Sequence, residues 1–214
     1  MTVSSKAQIA YDWTRARILD GRFSPGYRLV LGQIAGELDV SAVPVREAVR
    51  RLEAEGLVTF ETNVGARVVV VDEREYADVM GTLAVVEAAA TALSAPALTP
   101  AELHRARDLN DELRACLAVF DPIRFTELNH ELHAVLFGAC PNPRLLRAVR
   151  GEWDRLDMLR RSTFSFVPER APVSVQEHDA LIELIERGAP AAEIEAAVRR
   201  HRTATLDDFL TRSP

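Results

Sequence analysis

Cysteine is scarce in this chain: only Cys116 and Cys140 occur among 214 residues. No pairing motif links them, which argues against a disulfide framework and for a reduced, cytoplasmic protein. Long apolar runs are missing too. None approaches the ~20 residues that a membrane span needs. The start, "MTVSSKAQIAYDWTRARILDG", has no unbroken apolar stretch of the kind a signal peptide carries. There is no internal repeat and no low-complexity linker, and strand signals vanish after Asp72. What remains is 48% hydrophobic and 27% charged, enough to bury a core and too apolar for a disordered chain.

The formal net charge is -6, yet it is unevenly spread. Residues 1–71 hold nine basic and eight acidic side chains, so the remainder carries the acidic excess. A near-neutral head with clustered arginines and an acidic body points to a division of labour.

Breaks and periodicity organise the head. Residues 4–21 read as a helix with Ile9, Trp13, Ala16 and Ile18 or Leu19 near one face. Gly21 and the Pro25-Gly26 turn end it. A short helix is expected at about 31–38, and "DVS" then makes a tight turn. Ser41 is a good N-cap for a helix running to about Glu55, with Pro44 in its first turn, where a missing N–H costs little. Gly56 is the stop. "LVTF" and "ARVVVV" flank the turn-prone "ETNVG" and predict a hairpin. Helix, helix, turn, helix, hairpin is the order of a winged helix-turn-helix.

From Asp72 onward the periodicity predicts six helices, near 73–95, 99–119, 122–139, 142–162, 171–188 and 190–211. Breaks fall at Pro96/Pro100, Asp121-Pro122, Pro141/Pro143, "STFSFVPERAP" and Gly188-Ala189-Pro190. The fold class is therefore mainly α: an N-terminal winged helix-turn-helix (residues 1–71) plus a C-terminal six-helix antiparallel bundle (residues 72–214), joined by a short, stiff boundary near Val71–Glu73.

"LDVSAVPVREAVRRLEAEGLV", residues 38–58, loads Arg46, Arg50 and Arg51 onto one helix. Val45, Ala48, Val49 and Leu52 form its inward stripe, while Arg46, Arg50 and Glu53 share another face. Arginine's planar fork of donors suits both phosphates and guanine edges. A helix entering the major groove presents its N-terminal residues to the bases, which selects Ser41, Ala42, Val43 and Arg46. Arg50 lies further back, placed for phosphates. Asn63, Gly65 and Arg67 belong to the hairpin that would be the wing. The alternative is that the arginines pair with Glu47, Glu53 and Glu55 on an ordinary solvated helix.

The run "ILDGRFSPGYRL…IAGELDVSAVPVREAVRRLEAEGLV…NVGARV" resembles the DNA-binding head of GntR-family transcription regulators over nearly all of residues 8–71. The resemblance implies a homodimer on a pseudo-palindromic operator of double-stranded DNA. Many relatives carry Arg-Thr after the serine where this chain has Ala42-Val43. Apolar contact with a thymine methyl could replace the missing arginine, so the operator should differ from the commonest family type.

In the helical part, "FTELNHELHAVLF" puts Asn129 and His133 on one face with Leu136 and Phe137. "SVQEHDALIELI" aligns His178 with Leu181, Ile182 and Ile185, and "IEAAVRRHRTATL" aligns His201 with Ile194, Ala197 and Val198. Three imidazoles on three helices thus point inward. A lone histidine on an apolar face is ordinarily a satisfied core residue. Three converging ones share the problem that each buried ring needs a partner, and a divalent metal solves it by taking their neutral nitrogens. His130 is rotated away and is a neighbour; His104, among Glu102, Arg105 and Arg107, reads as exposed.

This body resembles the FCD ligand-binding domain of the FadR-type branch, and six helices rather than seven suggest its VanR-like subgroup. The resemblance implies that Asn129, His133, His178 and His201 hold a divalent ion (zinc, nickel or manganese) beside the carboxylate of a small effector. Asn129 stands where relatives have an aspartate, a stronger ligand, and Leu83, four before Glu87, where relatives often carry an arginine. Arg160 is a candidate partner for the effector carboxylate, or else a snorkelling surface arginine.

The expected function is a ligand-responsive, DNA-binding regulator of transcription and not an enzyme. Two other readings remain: a regulator for which the ion itself is the signal, and a metal-dependent hydrolase. Against the hydrolase, Glu131 and Glu177 adjoin histidines in sequence and so should point elsewhere.

Overall fold

A computed structural model describes residues 5–20, 22–61, 65–70, 72–159 and 167–212. The chain forms two compact units, Met1–Val71 and Asp72–Ser213.

The first unit contains α1 (Lys6–Leu19), β1 (Arg28–Leu29), α2 (Leu31–Glu37), α3 (Ala42–Ala54), β2 (Val58–Glu61) and β3 (Gly65–Val68). Local chemistry ends its helices. α2 stops where Asp39 takes a positive φ of 51°, and the Val40 amide reaches back to the Ala35 carbonyl at 3.0 Å. α3 stops at Gly56, φ 75°, with Leu57 N–H bonded to Leu52 C=O and Gly56 N–H to Glu53 C=O. Glycine adopts that left-handed geometry without the steric cost of a Cβ. Val45, Ala48, Val49 and Leu52 of α3 are buried, as the pattern predicts.

Two expectations for this unit need correcting. In α1 the buried face is Ala10, Tyr11, Thr14 and Ile18, and Ile9 is 45% exposed. Two polar residues can face inward because each has a partner: the Thr14 hydroxyl donates to the Ala10 carbonyl, and the Tyr11 hydroxyl to Glu55, 2.8 Å from both carboxylate oxygens. The hairpin also gains a third strand. β1 pairs antiparallel with β3, giving the order β1-β3-β2 with Arg28 opposite Arg67 and Val58 opposite Val68. A two-residue strand has no periodicity to read.

The second unit contains α4 (Glu73–Ser94), α5 (Pro100–Cys116), α6 (Pro122–Gly138), α7 (Pro143–Leu159), α8 (Arg170–Glu186) and α9 (Ala191–Arg212).

 Three of them start with the same device, a capping side chain followed by proline at the first helical position, where proline's missing N–H is harmless. Thr99 precedes Pro100 and forms a reciprocal capping box with Glu102. Asp121 precedes Pro122 and accepts from the Ile123 and Arg124 amides, and Asn142 precedes Pro143 and accepts from the Arg144 and Leu145 amides. α8 ends at Gly188, φ 66°.

Cross-helix pairs run in opposite directions along neighbouring helices, so those helices are antiparallel. Tyr76 meets Phe209 while Glu87 meets Arg202 between α4 and α9. Arg107 meets Glu186 while Arg114 meets Asp179 between α5 and α8. Leu109, Leu113, Phe125, Leu128, Leu132, Ile182 and Val198 fill the core between them. α4 is apolar and long enough by composition to cross a membrane, contrary to the expectation that no run approaches that length. More than half of its apolar stretch is buried, it packs on α9, α7 and α6, and it carries the fully buried Glu87. It is the central helix of this unit's core.

Candidate functional site

In the first unit, α3 presents an open N-terminal end. Ser41, Ala42, Val43, Arg46 and Arg50 are all exposed, Val43 by 72%. Ser41 occupies the N-cap position, but its side chain makes no capping bond. A capping oxygen ordinarily accepts from the amide two or three residues on. Pro44 removes one of those donors. Arg51 is committed locally: its guanidinium lies 3.4 Å from Glu55, donates to Gln8 and covers the Tyr11 ring. Arg46 and Arg50 have no ion pair among the described residues, so pairing with Glu47 or Glu53 does not account for them. Arg67, on β3, is half-buried and donates to the Gly26 carbonyl at 2.9 Å, tying this strand to the Pro25-Gly26 turn. Gly65 starts β3 with φ 99°. Asn63 lies outside the described residues.

In the second unit, His133 on α6, His178 on α8 and His201 on α9 come together. Their ring centroids are 4.9–5.1 Å apart, and one nitrogen from each lies within 4.8 Å of the others. All three are buried, each on the apolar stripe that its helix carries inward. Asn129, one turn before His133, is buried as well. His130 is half-buried, stacks on Trp153 and is not in the cluster; His104 is exposed beside Asp108. Arg160 lies outside the described residues.

Around the three rings sits a layer that periodicity did not reveal. Glu87, fully buried on α4, accepts from both the Trp153 indole and the Arg202 guanidinium, and one of its oxygens is 2.7 Å from His133 Nδ1. Glu177 does not point away, contrary to expectation. Its carboxylate is 2.6 Å from His201 Nδ1 and also pairs with the buried Arg170. Adjacent positions on a helix differ by about 100°, which turns Glu177 away from His178's direction and toward α9. Asn110 of α5 meets His178 Nδ1 at 3.1 Å. Glu87 had one visible signal, a lone acid in "LAVVEAAATAL", which an apolar helix cannot bury without partners.

The electrostatics favour neutral rings. Burial pushes His133 down to about 3, helped by the Arg202 cation, and drives His178 and His201 below their ordinary value too. Burial alone would raise the Glu87 carboxyl, but Arg202 and His133 outweigh it and hold the group well below the usual range. Neutral imidazoles are the form that binds a metal ion.

The donor set fits a divalent cation. Asn129 Oδ1 and His133 Nε2 are buried with no hydrogen-bond partner among the described residues. Buried acceptors left unsatisfied cost stability, and a cation would satisfy both kinds of lone pair.

Residues 6–68 match the gntR family of bacterial regulatory proteins, and residues 78–204 match the FCD domain. The chain belongs to the GntR family. Its FCD match contains all three histidines, and its GntR match contains α3 and the hairpin. The chain is 30% identical to the Nta operon transcriptional regulator of Aminobacter aminovorans over 140 residues, 64% of this chain and 65% of that one. It is 26% identical to the probable D-xylose utilization operon transcriptional repressor of Paenarthrobacter nicotinovorans, over 96% of this chain and 89% of that one. Among solved structures, a GntR-family regulator from Pseudomonas syringae superposes with a TM-score of 0.52 at 25% identity, covering 96% of this chain and 85% of that one. These relatives are named as regulators of transcription, in agreement with the expectation that this GntR-family chain is a regulator and not an enzyme.

Proposed function

We propose that this chain is a ligand-responsive, DNA-binding regulator of transcription. Residues 1–71 form the DNA-binding domain, and residues 72–214 bind a divalent ion and a small carboxylate effector and make the homodimer. The observation that carries the ligand-responsive part is the convergence of His133, His178 and His201, three neutral donors from three helices on one buried point. His133, His178, His201 and Asn129 would hold the ion, which supplies a positive centre for a carboxylate.

For DNA, Ser41, Ala42, Val43 and Arg46 face the bases, with Arg50 on phosphate and Asn63, Gly65 and Arg67 in the wing. The exposed Val43 supports a contact with a thymine methyl, and Arg46 and Arg50, without an ion pair among the described residues, support contacts to DNA. Ligand occupancy changes DNA affinity only through a difference in ligand affinity between DNA-competent and incompetent states. Arg160 remains the candidate partner of the effector carboxylate.

The test is a DNA-binding titration on a duplex that the protein itself selects from a random-sequence pool. Zinc, nickel and manganese are varied with and without a panel of small carboxylic acids. A shift in DNA affinity that needs both ion and acid supports this reading. A second reading, with the ion itself as signal, is favoured by the neutral Asn129, a weaker ligand than a carboxylate that leaves occupancy responsive to ion concentration. A switch by chelation alone, unaffected by any acid, selects it. No effect of either overturns both.

A further inference from the structure

Each imidazole has two nitrogens, and the hydrogen-bond network around the three rings determines which one carries the proton. At His133 the partner is Glu87. That carboxylate already accepts from the Trp153 indole at 3.0 Å and from Arg202 at 2.6 and 2.8 Å. A carboxylate with both oxygens on one guanidinium nitrogen is ionised and accepts only. His133 Nδ1, 2.7 Å away, must therefore donate.

The same reasoning applies at His201. Glu177 is paired with Arg170 and lies 2.6 Å from His201 Nδ1, so it too is an acceptor facing that nitrogen. Arg170 also approaches Nδ1, but at 3.4 Å it is a much poorer partner than the carboxylate.

At His178 the partner is an amide, whose two ends look alike until its other bonds are counted. Asn110 Nδ2 donates to the Val175 carbonyl at 3.1 Å and to Asp179 at 2.8 Å. Both are acceptors, so the nitrogen end is spoken for and Oδ1 is the end that meets His178 Nδ1 at 3.1 Å. An oxygen there accepts, and His178 Nδ1 donates. Three different acceptors from three helices thus impose one tautomer on three rings.

We infer that Glu87, Asn110 and Glu177 are positioning residues that hold His133, His178 and His201 as Nδ1–H tautomers, so that every Nε2 lone pair is offered to one common point. This rests on the proposed ion site and adds to it which atom of each ring would bind and what aims it. Among the described residues His133 Nε2 is buried without a partner, as this arrangement requires. Among the described residues His178 Nε2 has only the Ser174 hydroxyl at 3.4 Å, a group that can donate to a lone pair. An acceptor behind the ring locks its rotation and raises the basicity of the opposite nitrogen.

The test uses the full chain, stripped of metal with a chelator, and two-bond proton–nitrogen correlation spectra of its histidine rings. Glu177 is the position to vary, because it is partly exposed and Arg170 keeps Thr205 and Asp208 as partners. Expected are three neutral rings with the Nδ1–H pattern in the unaltered protein. In Glu177→Leu the His201 ring changes pattern and zinc affinity, read by competition with a chromophoric chelator, falls about ten- to a hundred-fold. Glu177→Gln, which keeps an acceptor oxygen, retains the Nδ1–H pattern and stays within a few-fold of the original affinity. Nε2–H rings in the unaltered protein overturn the inference, as does Glu177→Leu with unchanged spectra. Equal zinc loss in both variants overturns it too, because charge and not aim would then be responsible. If the unaltered protein binds no zinc, the ion site fails, and the spectra alone decide the tautomer assignment.

Discussion

The guanidinium of Arg202 lies 2.6 and 2.8 Å from the two carboxylate oxygens of Glu87, and both side chains are buried. The pair joins α9 to α4 at mid-height and backs directly onto His133. Taking one partner away strands a charge in the core. Arg202→Met should lower stability by about 3–5 kcal/mol, whereas the double replacement of Arg202 by Met and Glu87 by Gln should recover much of the loss. Urea denaturation of metal-free protein measures both. Equal losses in the single and double variants would show that the charge pair is not the cause.

Arg46 stands exposed one turn into α3 and has no ion pair among the described residues. Arg46→Ala should weaken binding to the self-selected duplex by ~1–3 kcal/mol if the guanidinium reads a base through two hydrogen bonds. Fluorescence anisotropy at matched salt tests it. Unchanged affinity would remove Arg46 from the contact set.

His178 is a buried ring on α8 that meets Asn110, Ser174 and the His133 and His201 rings, so its truncation should open the ion site while leaving the bundle standing. His178→Ala is expected to retain nearly all helical circular dichroism and lose bound metal, read by elemental analysis after exposure to zinc. Full metal occupancy in this variant contradicts the site.

In the first unit, Tyr11 donates to the buried Glu55, and burial together with that bond pushes the phenol above its ordinary value of 10.0. Above pH 10 the unfolded chain then releases a proton that the folded chain keeps. This contribution is complete below the unfolded value and fades as pH rises through it toward the folded one. Stability of the first unit should fall more steeply between pH 9 and about 11 in the original protein than in Tyr11→Phe. Parallel curves for the two proteins would rule out the linkage.

Much of this was legible in the sequence, and the legible parts share a cause. Helix starts at Thr99-Pro100, Asp121-Pro122 and Asn142-Pro143, and stops at Gly56 and Gly188, are written in a few consecutive residues. So is the inward phase of His133, His178 and His201, because a helical repeat is a local property. Ser41 shows the limit of a single-position rule: it takes the cap position, but Pro44 withholds a partner amide. The strand β1 stayed hidden because two residues carry no alternation, and only pairing with β3 makes them a strand.

What the sequence by itself determined was the order of elements, the GntR-type head, and three histidines aimed at a core. Tertiary structure alone decided that these rings lie about 5 Å apart, and which groups stand behind them. Glu87 and Arg202 are 115 residues apart, and Asn110 and His178 are 68 apart. Helix periodicity says which way a side chain leaves its own axis. Only the crossing and register of neighbouring helices, set by the packing of the whole core, say what it meets.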